Sequence, residues 1–372
     1  MVNNTRVVVV GAGPSGLAVG ACLKQQGIDF VMLERSDQVG ASWRNHYHRL
    51  HLHTAKGFSG LPLMPFPVDY PRYPSRQQVV DYLDAYAKHF HLTPIFNQTV
   101  TSITQQNGRW QTVTQDATYT SDFVVMATGL NQVPTVPTWQ GQEQFKGQIL
   151  HSSRYQNGEP YRNQNVLIVG FGNSGAEIAL DAFEHGATVG LSVRSPVNVV
   201  FQERFGIPVQ LLTILMSPLP APVVDMLTAP ALYLTFGNLA PYGLKKPPYG
   251  AATQVQNYSK IPVIDPGIIA KIKTRQIKVY PGIERFSAEG VVFSDGTEQA
   301  FDVIVLATGY HTNLKTLLPD YDDKAGGTAK GSPAGIYYCG YNNSVTGLLR
   351  EIGIEAQRIS KDIASKVTQA AP

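Results

Sequence analysis

Two glycine-rich turns hold the residue types that bind phosphate in this 372-residue chain. Gly11-Ala12-Gly13-Pro14-Ser15-Gly16 is the first, and Gly170-Phe171-Gly172-Asn173-Ser174-Gly175 follows 159 residues later. In such a turn the first glycine permits a tight strand-to-helix reversal. The second has no side chain to hold the backbone off a pyrophosphate, and the third lets the helix pack closely on the strand. The helix that starts there offers free N–H groups and a partial positive charge to an anion. Glu34 follows Gly11 by 23 residues, where a carboxylate can accept hydrogen bonds from ribose hydroxyls. After the second turn the corresponding strand ends in Arg194 instead of an acid. An arginine there can pair with a 2′-phosphate that a carboxylate would repel; the other reading is a solvated strand end. The first turn therefore suits FAD, and the second suits NADPH over NADH.

The surrounding sequence supplies the elements such turns need. Arg6–Val10 is an uninterrupted apolar run after its first residue, as in a strand buried on both faces of a parallel sheet. Residues 17–26 read as a helix closed by Gly27, and 28–33 as a second strand. The second copy has a strand over 165–169, a helix over 176–185 closed by Gly186, and a strand over 187–193. Each copy is followed by a strand ending in Ala-Thr-Gly: Ala127-Thr128-Gly129 and Ala307-Thr308-Gly309, the latter running on to Tyr310. Small residues at strand ends let another backbone pass close by. Asp295-Gly296 signals a hairpin before the last of these strands.

Composition narrows the class. Hydrophobic residues make up 43% and charged residues 15%, with a net charge of +3; the mean hydropathy is −0.10. That balance gives a packed core and no nucleic-acid footprint. Cys22 and Cys339 are the only cysteines, which removes a disulfide scaffold, a Cys-rich zinc module and a Cys-x-x-Cys redox pair. No signal peptide is visible, so a cytoplasmic location is expected. The apolar stretch 223–244 contains Asp225, Asn238, Pro230 and Pro241, so it reads as a buried or surface-docking segment and not as a membrane span.

Two such motifs with two Ala-Thr-Gly strand ends resemble the two-dinucleotide-binding flavoproteins. Between them, Phe145-Lys146-Gly147-Gln148-Ile149-Leu150-His151-Ser152-Ser153-Arg154-Tyr155 fits the Phe-x-Gly-x-x-x-His-x-x-x-Tyr/Phe pattern of class B flavin monooxygenases. Within that class the sequence is most similar to the YUCCA type, the indole-3-pyruvate monooxygenases. The likeness runs through Gly40-Ala41-Ser42-Trp43, Arg49 to Lys56, Leu61 to Pro67, Tyr73 to Gln78 and Pro262 to Gly267. It continues in Lys278 to Ile283, Ala307 to Asn313, Gly335 to Tyr341 and Gly347 to Leu349. There are departures. Gly40-Ala41 replaces a glycine pair, and the animal-type loop with a flavin-facing Asn is not recognisable near Lys56. Tyr155 excludes the Baeyer–Villiger pattern, which ends in Trp.

The resemblance implies an NADPH- and O2-dependent monooxygenase. Reduced FAD forms a C4a-(hydro)peroxyflavin and passes one oxygen atom to a small organic substrate, either an indole-3-pyruvate-like keto acid or an N- or S-containing compound. It implies FAD contacts from Gly11, Gly13, Pro14, Ser15, Gly16, Glu34, Arg35, Ser42, Trp43, His53, Thr54, Val100, Ala127, Thr128, Gly129 and Gly347. NADPH contacts are expected from Gly170, Gly172, Asn173, Ser174, Gly175 and Arg194, with Thr308, Gly309 and Tyr310 completing the cofactor set. Asn131 is the candidate catalytic residue: its amide either hydrogen-bonds the flavin peroxide or caps its own loop.

His46, His48, His51 and His53 alternate along eight positions. They are read as a loop wrapping the flavin, with no metal, since no carboxylate or cysteine lies among them. His151 is read as structural, with a catalytic base the lesser alternative. Lys245-Lys246 suggests membrane-surface docking, a loop beside the substrate, or a dimer face.

The expected fold is α/β: two Rossmann-like three-layer dinucleotide-binding domains, the NADPH domain inserted into the FAD domain. The expected bounds are 1–155 and 301–372 for FAD and 162–300 for NADPH, with the active site where the domains meet. No nucleic-acid partner and no membrane span are expected, and a homodimer stays open. The competing functions are an NADPH-dependent flavin reductase or peroxide-forming NADPH oxidase with no organic oxygen acceptor, and a non-catalytic dinucleotide sensor.

Overall fold

The computed structural model describes residues 2–319 and 334–369. The chain divides into two compact units. The first comprises Met1–Asn45, Thr54–Val133 and Tyr310–Pro372, and the second His46–His53 and Pro134–Gly309.

The valines of Val2–Val10 place this strand at the centre of the first unit, with Val7, Val8 and Val9 fully buried. It runs parallel to Phe30–Leu33 on one side and to Thr118–Met126 on the other. The sheet continues through Arg109–Thr114 to Val100–Gln106 with antiparallel pairing. The outer edge of Thr118–Met126 is shared. Its first residues pair with Arg109–Thr114, and Val124, Val125 and Met126 pair in parallel with Ile336–Tyr338.

The register aligns Val10, Leu33, Met126 and Tyr338. Gly11, Glu34, Ala127 and Cys339 therefore leave the sheet side by side at the carboxyl ends of parallel strands, where open α/β sheets bind ligands. Helix Pro14–Gln25 packs against Arg76–His89 and against the long helix Leu348–Gln369. Val8, Val10, Val124 and Met126 form a cluster with Trp110, Leu314 and Leu317.

The second unit repeats the plan. Its five-stranded parallel sheet runs in the order Lys278–Tyr280, Thr188–Ser192, Asn165–Val169, Val303–Leu306, Gln148–His151. An antiparallel sheet of Ile283–Phe286, Gly290–Phe293 and Glu298–Ala300 covers it through Phe286, Val291 and Phe293, which pack on Leu167, Val169 and Ile304. The expected Asp295-Gly296 turn joins the last two of these strands, with Gly296 at φ 83°. Asp295 Oδ1 accepts the Thr297 N–H at 3.0 Å.

Several bounds differ from the sequence expectation. The return to the first unit was set at 301, but Val303–Leu306 pairs with Asn165–Val169 and Gln148–His151 in the second sheet, and Tyr310 opens the return. Helix one begins at Pro14, not at residue 17, because proline suits the first helical position, where no N–H is needed. Helix Asn173–Glu184 likewise starts inside its turn. His46–His53 belongs to the second unit although the chain on both sides of it belongs to the first. No helix among the described residues is long and apolar enough to cross a membrane.

Candidate functional site

The two glycine turns have nearly the same geometry. Gly11 has φ 108°, and a Cβ there would lie 2.6 Å from the Ala127 carbonyl oxygen. Gly170 has φ 104°, and its Cβ would lie 2.6 Å from the Ala307 oxygen. A Cβ at Gly16 would come within 1.9 Å of the Gly11 oxygen, and one at Gly175 within 2.1 Å of the Gly170 oxygen. The first and third glycines are thus fixed by backbone contacts inside the protein. Each Ala-Thr-Gly strand end supplies the carbonyl over which the turn passes.

Gly13 and Gly172 differ from these, since a Cβ at either would meet nothing within 4 Å. They serve as helix N-caps, and no side chain caps either helix. Open space over bare backbone, together with uncapped first-turn N–H groups, is the cradle a pyrophosphate requires, so the residues fit a dinucleotide at both places.

Around the first cradle, Glu34 is buried. Its Oε2 accepts the Ala12 N–H at 2.7 Å, and its Oε1 accepts the Ser36 N–H and hydroxyl, each at 2.9 Å. The carboxylate is thereby aimed while retaining acceptor capacity for ribose. The Gly40 N–H donates to the Ala12 oxygen at 3.0 Å, which ties the short helix Ala41–Arg44, carrying Ser42 and Trp43, to the glycine turn. Arg35 is exposed. Val100 is buried at the start of its strand, opposite Thr114. Thr54 Oγ1 accepts the Ser59 hydroxyl at 2.8 Å.

Sequence reasoning missed Gln132. Its Nε2 donates to Thr128 Oγ1 and, at 2.8 Å, to the Gly129 oxygen, while its Oε1 accepts the Asn313 N–H at 3.0 Å. Thr128 Oγ1 is also 2.5 Å from the Tyr341 hydroxyl. Gln132 therefore holds this strand end together, and no pattern in the sequence marks it. Its neighbour Asn131 is exposed and makes no side-chain hydrogen bond among the described residues. The loop-capping role weighed for Asn131 is filled by Gln132. Gly347, at φ 103°, leads into Leu348–Gln369, and its carbonyl accepts the Glu351 N–H at 3.1 Å. Gly340 fits against the first cradle: a Cβ there would lie 2.2 Å from Ser15 Oγ.

Around the second cradle, Asn173 Oδ1 accepts the Ile264 N–H at 2.8 Å, which spends its carbonyl on holding a neighbouring strand. Ser174 and Tyr310 are half-buried. Thr308 donates to the Thr135 oxygen at 2.5 Å, and the Thr135 N–H donates to the Gly309 oxygen at 2.9 Å.

The register at the strand end changes the comparison of Arg194 with Glu34. The Gly11 N–H bonds the Leu33 oxygen, and the Gly170 N–H bonds the Ser192 oxygen. The counterpart of Glu34 is therefore Val193, and Arg194 corresponds to Arg35. Arg194 is exposed, makes no ion pair among the described residues, and lies along Gly282, where a Cβ would be 3.2 Å from its Cγ.

The Phe145 to Tyr155 pattern is a brace inside the second unit. Phe145 packs edge-on to Phe286. A Cβ at Gly147 would lie 2.4 Å from the Asp302 oxygen. His151 Nδ1 accepts the Ser153 N–H at 3.1 Å, so its proton resides on Nε2, which donates to the Gly309 oxygen at 3.1 Å. Burial holds the His151 pKa below its ordinary 6.5. The Tyr155 hydroxyl donates to the buried Asp181 on the helix after the second turn, at 2.7 Å. His151 is thus a structural clamp.

The other histidines go to separate partners. His51 Nδ1 donates to the Arg49 oxygen at 2.6 Å, and His53 Nε2 lies 3.1 Å from the buried Glu177. Arg49 reaches Glu177 and Glu184 on the same helix.

A family model described as flavin-binding monooxygenase-like matches residues 4–320. The chain belongs to that family. Among curated relatives it is 38% identical to the indole-3-pyruvate monooxygenase YUCCA4 of Oryza sativa subsp. japonica, over 97% of this chain and 87% of that one. A flavin-containing monooxygenase structure from Stenotrophomonas maltophilia aligns with a TM-score of 0.72 at 22% identity, covering 98% of this chain and 99% of that chain. The OTEMO complex with FAD and NADP aligns at 0.78 and 16% identity, covering 98% and 85%. These structural likenesses bear on the two-domain α/β fold. The expectation of a flavin monooxygenase using FAD and NADPH is thus met at the level of the family, and the reductase, oxidase and sensor readings are not favoured. The chain is an enzyme of the oxidoreductase class, and its organic substrate is a small molecule.

Proposed function

We propose that this flavin monooxygenase holds FAD on the first glycine turn and NADPH on the second, and that its oxygen acceptor is an indole-3-pyruvate-like keto acid. The observation that carries the cofactor assignment is the pair of matched cradles with opposite surroundings, a buried oriented Glu34 beside one and the exposed cation Arg194 beside the other. The keto-acid acceptor is supported by the 38% identity to an indole-3-pyruvate monooxygenase over nearly the whole chain.

When bound, FAD takes a hydride from NADPH and, with O2, supplies the oxygen atom that goes to the acceptor. The protein's own work is binding and orientation. The uncapped N–H groups after Gly13 and Gly172 hold pyrophosphate. Glu34 accepts ribose hydroxyls, and Arg194 pairs with the 2′-phosphate. Gln132 holds the Ala127–Gly129 end rigid and leaves the Asn131 amide exposed, free to hydrogen-bond oxygen at the reacting centre. His151, neutral and clamped to Gly309, fixes the second Ala-Thr-Gly end without taking part in proton transfer.

Product stoichiometry tests this reading. With indole-3-pyruvate present, consumption of NADPH should match decarboxylated, oxygenated product, with little hydrogen peroxide. NADPH consumption matched by peroxide, with this and other keto acids, would remove the substrate assignment.

A further inference from the structure

Half of the exposed large apolar side chains among the described residues fall between positions 205 and 234. Isolated exposed apolar residues are ordinary, but a contiguous set marks a contact surface. Helix Ala221–Phe236 shows why this set is contiguous. It buries Ala221, Val224 and Phe236, and it exposes Met226, Leu227, Tyr233 and Leu234 at helical spacing, with no charged residue on that face.

The hairpin Glu203–Pro208 extends the same surface. At its tip Phe205 is 89% exposed and adopts φ 50°, a left-handed conformation that costs free energy for an aromatic residue. Arg204 fastens the hairpin to the helix, donating to the Ala231 oxygen at 2.7 Å and to Thr235 Oγ1. Phe205 and the helix face therefore belong to one surface.

Charge identifies the occupant. Between residues 205 and 259 the charged side chains are Asp225, Lys245 and Lys246. Both oxygens of Asp225 are taken by the N–H groups of Ala252 and Thr253, at 2.8 and 3.1 Å. Lys245 and Lys246 are exposed and make no ion pair among the described residues. The segment presents apolar side chains and uncompensated positive charge. A second copy of the chain would bring the same lysines to both sides of the contact without a carboxylate to meet them. An anionic lipid surface supplies apolar depth and negative charge together.

We propose that this face, the Phe205 hairpin and the outer side of helix Ala221–Phe236, docks on the surface of an anionic bilayer without spanning it. The test uses the full-length FAD-bound protein and vesicles of phosphatidylcholine with an equal share of phosphatidylglycerol, compared with phosphatidylcholine alone. At low salt, co-sedimentation should be at least roughly tenfold greater with the anionic vesicles, and it should weaken as salt is added. The variant Phe205→Ser with Leu234→Ser should lose binding about tenfold while keeping its yellow colour and melting temperature, since both side chains lie outside the core. Lys245→Gln with Lys246→Gln should remove the preference for anionic vesicles. Equal binding by the parent and the apolar variant would overturn the proposal, as would no binding to either vesicle. So would sedimentation showing a dimer that the apolar variant dissociates, which would assign the face to self-association.

Discussion

The two glycine turns are built alike and equipped differently. In both, the first and third glycines are fixed by carbonyl oxygens within 2.6 Å of where a Cβ would sit, and the middle glycine faces open space. Beyond the turns the likeness ends. Glu34 is buried and held by three donors, whereas its counterpart in the second unit is Val193, and the charge there is carried one residue later by the exposed Arg194. Recognition of phosphate is thus a backbone property that the two halves share. The choice of nucleotide rests with one or two side chains at a strand end.

Substitutions at the glycines break the comparison most severely. Gly16→Ala should prevent stable folding of the first unit or leave it without FAD, because backbone lies 1.9 Å from the new methyl. Gly175→Ala should do corresponding damage in the second unit and abolish NADPH oxidation; flavin absorbance and thermal melting read both. Gly13→Ala and Gly172→Ala should behave otherwise. Each should melt within about 2 °C of the parent, since neither methyl meets anything. Even so, the first should be purified largely colourless and the second should bind NADPH at least roughly 100-fold more weakly. A yellow Gly13→Ala protein would show that the first cradle does not hold the flavin nucleotide.

Arg194→Ala should raise KM for NADPH about 10- to 100-fold and leave that for NADH nearly unchanged, since one charge-assisted phosphate contact is removed. Equal loss for both would reassign Arg194 to the solvated strand end. A smaller effect is expected at Gln132. Gln132→Ala should retain FAD but divert a larger share of NADPH to peroxide, with Gln132→Glu restoring little, because the Nε2 donors to Thr128 and Gly129 are what it loses. The smallest concerns pH. Burial lowers the folded-state pKa of His151 below its ordinary 6.5, so its stabilising effect is complete above that value and is lost as pH falls through the lower folded-state pKa. The melting temperature of the parent should decline more steeply below pH 6 than that of His151→Gln.

The sequence made the turns legible because glycines, β-branched runs and Ala-Thr-Gly ends are local signals whose causes are local. The structure adds the reason for the pairing: each Ala-Thr-Gly carbonyl is what its glycine turn crosses. Arg194 shows where local reading stops. The hydrogen bond from Gly170 to Ser192 shifts the alignment by one residue, and only the sheet register reveals it. Gln132 was missed for a related reason, since its partners Thr128 and Asn313 are distant from each other in the chain. The apolar stretch near 223–244 was recognised as apolar, but which side of its helix faces solvent follows from packing alone.

The shared edge of Thr118–Met126 also sets an order of assembly. Its last three residues wait for Ile336–Tyr338, which arrive more than 200 residues later, whereas every strand of the second unit's parallel sheet has been synthesised by residue 306. During synthesis the second unit can close while the first still has an open edge, and long-range closure of that kind is slow. Cys339 and Gly340, which complete the strand ends beside Ser15, are then among the last residues to reach their places. A nascent chain stalled before residue 336 should therefore hold nicotinamide dinucleotide but not flavin.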